Sequence, residues 1–389
     1  MDPIRYSLST ISLGLLWLSL PVQADATYSI VACDAQTRAC GVAVQTNNLA
    51  VGASVPYAQA GVGAVASQFE TNPAYGPRAL ALMAQGRKPQ DALDQVLRED
   101  GNFEGQGVEA RQVGVVDVDG GAAVFTGAQA ADSPWAGARK GKGYSIQGNG
   151  LAGARVIEDM ERAYLNSTGP LAERLLLALE AGDAAGGQTT GRESAALLVK
   201  TAAGYPIDVD LRVDHSSDPV KDLRTAYNIQ AARQQVIQAK VAAQQNNPER
   251  ARALLIGAVA RTNAPRVCIQ AARVALRIQD NELALQYLSM AFSQSVVWAR
   301  EEIGSGRYAE LGANPLFHRW VTADQEQSAR TGYGSLKDGQ ATDERRIQVA
   351  RVLLEVGDAT DALRLLPDTG SSAEVRLLRA QANAALSNK

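Results

Sequence analysis

Hydrophobic positions change their spacing along the chain, and each change predicts a different kind of structure. From Thr27 onward apolar residues alternate or cluster in short stretches broken by turn residues, "TYSIVACD", "ACGVAVQT", "AVGASVPYA" and "GVGAVASQ", which predicts strands. Two helices follow in "PAYGPRALALMAQG" and "KPQDALDQVLRED", the second with Pro89 in its first turn and Ala92, Leu93, Val96 and Leu97 along one face. Strands return in "RQVGVVDV", "GAAVFTGA" and "YSIQGN", with Gly120 and Gly121 turning the first pair. "GARVIEDMERAYL" and "PLAERLLLALEAG" carry helical spacing, "SAALLVK" and "PIDVDLRVDH" are strands, and a short helix around "DPVKDLRTAY" leads out. This order predicts an α+β domain over residues 27–230, with sheets packed on each other and helix pairs outside, and argues against a doubly wound parallel sheet.

Residues 231–389 turn to Ala, Gln, Arg and Leu with no strand pattern, which predicts an all-helical second domain. "PERARALLIGAVAR", "PRVCIQAARVALRIQ" and "NELALQYLSMAFSQS" are successive amphipathic helices, and "DERRIQVARVLLEVGDATDALRLLPD" and "SAEVRLLRAQANAAL" repeat the style. The polar "ADQEQSARTGYGSLKDGQATD" between them is a linker or exposed loop. In its Ala/Leu spacing and the "NPLFHRW" that ends a helix pair, this part resembles tetratricopeptide arrays; it lacks their full repeat signature, and a generic helical bundle is the alternative.

Ahead of Thr27 the pattern is that of a secretory signal over residues 1–26: Arg5 is the one early cation, "ISLGLLWLSL" is a short apolar core, and Pro21 opens a small-residue cleavage zone. That core is about ten residues against the roughly 20 needed to span a bilayer, so no anchor is expected in a mature form. Two small-x-small sites compete, "VQA" ending at Ala24 and "ADA" ending at Ala26. The expectation is a periplasmic or secreted bacterial protein. A chain that is 46% hydrophobic and 20% charged, with net charge −3, is an ordinary globular protein and does not suggest a nucleic-acid partner. Cys33 and Cys40 flank "DAQTRA", the bend between two strands, and in an oxidising compartment they are expected to bridge it; two small buried thiols are the alternative. Cys268 is left over, inside a helix. His215 and His318 are the only histidines and fall in different domains, which argues against a His-based triad or a multi-histidine metal site. Asp208, Asp210 and Asp214 with Arg212 follow the period of a solvated strand face. No cofactor or metal is expected.

"TYSIVACD", "GVAVQTN", "VGASVPYAQAGVGAVASQ", "NPAYGPRALALM", "GYSIQGNGLAG", "GPLAERLLLALEAGDAAGG", "RESAALLV" and "VDLRVDHSSDPVKDLR" together resemble a bacterial family of unknown function, the domain-of-unknown-function 1028 family, placed in the N-terminal-nucleophile (Ntn) hydrolase superfamily. The resemblance covers nearly all of the first domain and none of the second. It implies a four-layer αββα sandwich and a threonine nucleophile at the N-terminus. Cytoplasmic members begin Met-Thr, and Thr27 stands at the equivalent place, so cleavage after Ala26 would expose it. A free amine can then serve as the base for the neighbouring hydroxyl, whereas cleavage after Ala24 leaves that nitrogen an amide.

A Cys33–Cys40 pairing across the hairpin sets Thr46 opposite Thr27 and makes Gln45, Thr46 and Asn47 candidate substrate-binding neighbours, the alternative being the polar end of a strand. Proteasome-like members of the superfamily carry a lysine near the nucleophile; here no lysine precedes Lys88, so Arg78 is the candidate cation. Asn149 lies between glycines in "QGNGLAG" just before a helix, a turn able to aim donors at an oxyanion or simply to cap the helix. Gln68, Glu70 and Asn72 in "SQFETNP" form another strand-to-helix corner, with contacts to substrate expected and capping by Asn72 the alternative. By its place in the fold "GDAAGG" resembles the loop that steadies the amine in proteasome-like enzymes, which makes Asp183 a weaker site candidate, an ordinary helix C-terminal loop being the preferred reading. The functional expectation is an amidohydrolase or peptidase with Thr27 and Asn149 catalytic, a small-molecule or peptide substrate, a protein partner on the helical domain and homo-oligomeric assembly. A catalytically silent binding or scaffold protein is the alternative.

Overall fold

The computed structural model describes residues 26–294, 302, 306–311, 314, 343–355, 358–367 and 372–387. The signal expected at residues 1–26, apart from Ala26 itself, lies outside them, as do "NPLFHRW" beyond Asn314, His318 and the polar stretch up to residue 342. The chain divides into two compact units, with the boundary between Tyr227 and Asn228.

The first unit is α+β. Its ten strands are β1 (Thr27–Asp34), β2 (Ala39–Thr46), β3 (Pro56–Gln59), β4 (Gly63–Phe69), β5 (Arg111–Asp117), β6 (Ala122–Thr126), β7 (Gly137–Gly141), β8 (Tyr144–Asn149), β9 (Ser194–Lys200) and β10 (Val209–Val213). They form a six-stranded sheet in the order β10-β9-β2-β1-β8-β7 and a four-stranded sheet in the order β3-β4-β5-β6, and every pairing is antiparallel. Period-2 alternation explains the packing. Val31, Val42 and Val44 on one sheet and Ala64, Ala66 and Val116 on the other share a core. The intervening positions Val65, Val113 and Val115 point the other way, against Tyr75, Ala79, Leu93 and Val96 of helices α1 (Tyr75–Ala84) and α2 (Pro89–Arg98). On the six-stranded sheet the outer face is covered by α4 (Ala154–Asn166) and α5 (Leu171–Ala184), which bury Val156, Met160, Leu175 and Leu179. Each sheet therefore carries a helix pair, and one four-residue helix, α3 (Ala128–Ala131), sits in a connection.

Three elements differ from expectation. "AVGASVPYA" splits into a 3-10 turn at Val51–Ala53 and the short β3, because Ala50 adopts a left-handed φ of 56° that interrupts an extended chain. β7 was not predicted. The lead-out helix is not short: α6 runs Pro219–Gln244, since no Gly or Pro interrupts it before Pro248.

The second unit has no strand among the described residues. Beyond α6 it contains α7 (Pro248–Arg261), α8 (Pro265–Arg277), α9 (Asn281–Gln294), α10 (Asp343–Glu355), α11 (Ala359–Leu365) and α12 (Ala373–Ser387). Helix starts are conventional: Pro248 and Pro265 occupy first-turn positions, and the side chains of Asn247 and Asp358 accept from the N–H groups of Arg250 and Asp361. Val236, Leu255, Val267, Tyr287 and Leu288 belong to one core and Val349, Leu353, Leu366 and Leu378 to another. Cys268 is buried in α8 as a free thiol, pushed up to about 11 by burial. Among the described residues no helix is long and apolar enough to cross a membrane.

Candidate active site

Register places the site. β1 lies between β2 and β8, with Thr27 opposite Thr46 on one side and Asn149 on the other, and Cys33 opposite Cys40. Cys33 and Cys40 are bridged, and the hairpin register that follows is the one their pairing predicts. Because cross-strand partners share a face, Thr27, Thr46 and Asn149 converge between the two sheets, where Thr27 is 4% exposed and Asn149 0%. The Thr27 N–H donates to Asn149 Oδ1 at 3.1 Å, and the Thr27 and Thr46 hydroxyl oxygens are 3.0 Å apart. The Thr46 hydroxyl donates to the Ala26 carbonyl at 2.8 Å. A hydroxyl has one proton, so Thr27 is the donor in the contact between the two.

Behind Thr27 lies a seam of buried amides. Gln68 Nε2 donates to Gln112 Oε1 at 2.8 Å and to the Thr27 carbonyl at 3.3 Å, while its Oε1 accepts from Ser29 Oγ at 2.6 Å. Gln147 Nε2 donates to the same Ser29 oxygen at 2.6 Å and its Oε1 accepts from Ser145 at 2.8 Å. Asn149 Nδ2 donates to Gln112 Oε1 at 2.9 Å, and Gln112 Nε2 reaches Thr126 Oγ1 at 3.1 Å and the Gly148 carbonyl at 3.0 Å. Ser29, Gln68, Gln112, Gln147 and Asn149 are each 0% exposed. Gly114 makes room for this layer: a Cβ there would stand 2.3 Å from Gln147 Oε1. Phe69, directly after Gln68, has a φ of 64°, a conformation that a bulky residue holds only when its surroundings impose it.

The side chains bonded to the Thr27 hydroxyl and N–H are neutral. Asn149 acts as an acceptor toward Thr27 and as a donor toward Gln112, so these bonds describe a group that orients the Thr27 nitrogen, a different task from the oxyanion contact expected of it. Asn47 reaches the neighbouring residue: its Oδ1 accepts from the Ala26 N–H at 2.9 Å. Gln68 contacts Thr27 through the carbonyl, from inside the seam.

Three expected substrate contacts lie elsewhere. Gln45 pairs with Tyr28, on the sheet face turned toward α5, because neighbours in sequence alternate faces. Asn72 caps its own corner through Ala74 N and donates to the Asp100 carboxylate and carbonyl. Arg78 is half exposed beside Glu99. Asp183 pairs with Arg192 at 3.0 Å; burial pushes its carboxyl up in spite of that cation. Tyr28, beside Asp183 on the helix face, has a buried hydroxyl without a hydrogen-bond partner among the described residues, and burial raises its phenol well above the usual range.

Sequence reasoning missed Ser29, Gln112, Gln147, Gln188 and Thr190. The first three lie between the sheets, in phase with Val31, Val116 and Ser145, but polar side chains alternating with apolar ones are the ordinary mark of a solvent-facing strand position, so the pattern hides them. Gln188 and Thr190 lie in an irregular loop with no periodicity to read.

No curated protein matches the chain. Among solved structures, protein SPO2555 from Silicibacter pomeroyi, itself assigned to DUF1028, is 31% identical; the match covers 52% of this chain and 84% of that one with a TM-score of 0.46. The model of the family of unknown function DUF1028 matches residues 27–223, just over half of the sequence, and this chain therefore belongs to the DUF1028 family.

Proposed function

We propose that this protein is an exported amide-bond hydrolase of the N-terminal-nucleophile type, with Thr27 as nucleophile and cleavage after Ala26 as the event that exposes it. The observation that carries the reading is the pairing at the head of β1: the Thr27 nitrogen faces an acceptor, Asn149 Oδ1, at 3.1 Å, and its hydroxyl lies against Thr46 at 3.0 Å. Once that nitrogen is a free amine, with an ordinary pKa of about 7.7–8.0, it can take the hydroxyl proton and later deliver it to the leaving nitrogen. Asn149 orients the amine, and the amide seam holds β1 and β8 in register behind it. Two antiparallel sheets between two helix pairs support the αββα sandwich of the Ntn superfamily, and the Cys33–Cys40 bridge suits an oxidising compartment such as the periplasm. In this reading the helical unit, a tetratricopeptide-like array, recruits a protein partner, and the protein assembles as a homo-oligomer.

The neutral surroundings of Thr27 favour one rival, a catalytically silent sandwich that serves as a binding scaffold. Intact mass and terminal sequencing of the protein from its native compartment discriminate between them. A mature chain beginning at Thr27 supports the hydrolase; a stable, fully populated start at Asp25 keeps the nitrogen an amide and sinks it.

A further inference from the structure

Ala26 is held as a ligand would be. It is 0% exposed, its N–H donates to Asn47 Oδ1 at 2.9 Å, and its carbonyl oxygen accepts from the Thr46 hydroxyl at 2.8 Å, from the Asn47 N–H at 3.3 Å and from Gln188 Nε2. Asn47 is itself anchored, its Nδ2 donating to Thr190 Oγ1 at 2.8 Å, whereas the other end of the Gln188 amide, Oε1, is buried with no hydrogen-bond partner among the described residues. Thr46 Oγ1 stands 2.8 Å from the Ala26 oxygen and 3.0 Å from the Thr27 hydroxyl, so one side chain touches both an acyl oxygen and the nucleophile. Three donors on one carbonyl oxygen exceed what a strand-end residue needs and match what a developing oxyanion needs.

Resting on the reading of Thr27 as nucleophile, we propose that the place filled here by Ala26 is the acyl-side subsite of the mature protein, and that its substrates are amides whose acyl part is an N-acylated small amino acid residue, alanine or glycine. Such a residue reproduces each bond that Ala26 makes: an N–H for Asn47 Oδ1, a carbonyl for Thr46, Asn47 and Gln188, and a side chain no larger than the methyl that is already fully buried. A free α-ammonium in the same place would be desolvated among neutral groups, which disfavours an unblocked residue. In the reaction the Thr27 O–H proton passes to the Thr27 amine as Oγ bonds the acyl carbon, and the carbonyl electron pair moves to the oxygen held by the three donors. The C–N bond then breaks as that proton passes to the leaving nitrogen, and water hydrolyses the resulting ester to restore the Thr27 hydroxyl.

The test uses the full chain beginning at Thr27 and the p-nitroanilides of N-acetyl-alanine, N-acetyl-leucine and propionic acid, the last lacking the N–H. A parallel arm measures acylation of Thr27 by a β-lactone, read as an added mass at the N-terminal residue. The expected result is a kcat/KM for N-acetyl-alanine roughly tenfold or more above both other anilides. Asn47→Ala, checked for its fold by circular dichroism, should remove the advantage of N-acetyl-alanine over the propionyl compound; an advantage that survives the substitution overturns the role given to Asn47 Oδ1. Should the β-lactone label Thr27 while the three anilides are cleaved equally, or leucine best, the subsite is overturned and the nucleophile stands. If Thr27 is not labelled and no anilide is cleaved, both readings fall.

Discussion

The first unit buries two polar clusters, and they are built in opposite ways. Around Asp100 the groups are ionic: Arg111, 1% exposed, donates to the two carboxylate oxygens at 3.0 and 3.3 Å, Tyr75 adds a bond of 2.6 Å, and the guanidinium also donates to the carbonyls of Glu70 through Nη1 and of Phe103 and Gln106 through Nη2. Around Thr27 the groups are neutral, and their bonds run to the nitrogen, carbonyl and hydroxyl of a single residue at the head of a strand. Burial of polar side chains is common to both. What distinguishes the second cluster is that it ends on atoms whose chemistry a single peptide-bond cleavage would change. Asn72 shows the difference in one residue, since it belongs to the ionic cluster that pins a loop and makes no bond toward Thr27.

The sharpest break between the clusters is expected at Thr27. In the chain that begins there, Thr27→Ala should lower amide hydrolysis by about a thousandfold or more while changing stability by under about 1 kcal/mol, measured by turnover and by urea unfolding of the same samples. If the neutral amine is the base, the wild-type rate should rise with pH and level off above the amine's ionisation. A rate indifferent to the Thr27 hydroxyl would place both clusters in the same structural class.

Arg111→Met is the converse. It leaves the Asp100 carboxylate buried and unpaired, which costs about 3–5 kcal/mol, and turnover per folded molecule should not change. Burial opposes ionisation of Asp100, yet bonds from Arg111, Tyr75 and Asn72 outweigh it and hold the carboxyl below the usual range. A carboxyl depressed in the folded state contributes stability that is complete above its unfolded value of about 3.9 and is lost as pH falls through the folded one. The gap in urea midpoint between wild type and Arg111→Met should thus be widest near neutrality and narrow in acid. A gap independent of pH would show that the pair contributes packing and not charge.

The two clusters were unequally legible. Cys33 and Cys40 fix the β1–β2 register, and Thr46 opposite Thr27 follows from it by counting. Asn149 was recognisable as a turn residue, but its alignment with Thr27 depends on the β1–β8 pairing, which joins residues more than a hundred positions apart. The amide seam was hidden for a different reason: alternation in a single strand marks polar positions as solvent-facing, whereas a strand covered on both sides buries them, as with Ser29, Gln112 and Gln147. Gln45 was misplaced by treating a neighbour in sequence as a neighbour in space. β7 escaped because "GARKG" is an edge strand with Arg139 and Lys140 outward and no apolar alternation.

The two ends of β1 allow a smaller test. Removing the bridge with Cys33→Ser and Cys40→Ser should cost about 2–3 kcal/mol through the freer unfolded chain. Six residues of extended strand, about 20 Å, separate Cys33 from Thr27, so the rate should hold. A fall in rate with stability unchanged would mean that the bridge sets the register at Thr27, and would join the two ends into one functional element.

Gln68→Leu makes the smallest change and separates the clusters most finely. Leucine keeps much of the volume but removes the acceptor of the Ser29 hydroxyl and the donor to the Thr27 carbonyl, while Gln112 Oε1 still accepts from Asn149. A buried hydroxyl that loses its acceptor costs about 1–2 kcal/mol, comparable to Asn72→Ala in the other cluster. Their effects on rate should differ. Gln68 holds Thr27 by its carbonyl and, if Thr27 is the nucleophile, acts on it through its position, so kcat is expected to fall about tenfold with KM unchanged. Asn72→Ala should leave both constants alone, because its partners end at Asp100. Equal stability losses with unequal rates would identify the amide seam as the support of the site; equal rates would reduce it to a second packing device, differing from the Asp100 cluster only in its charge.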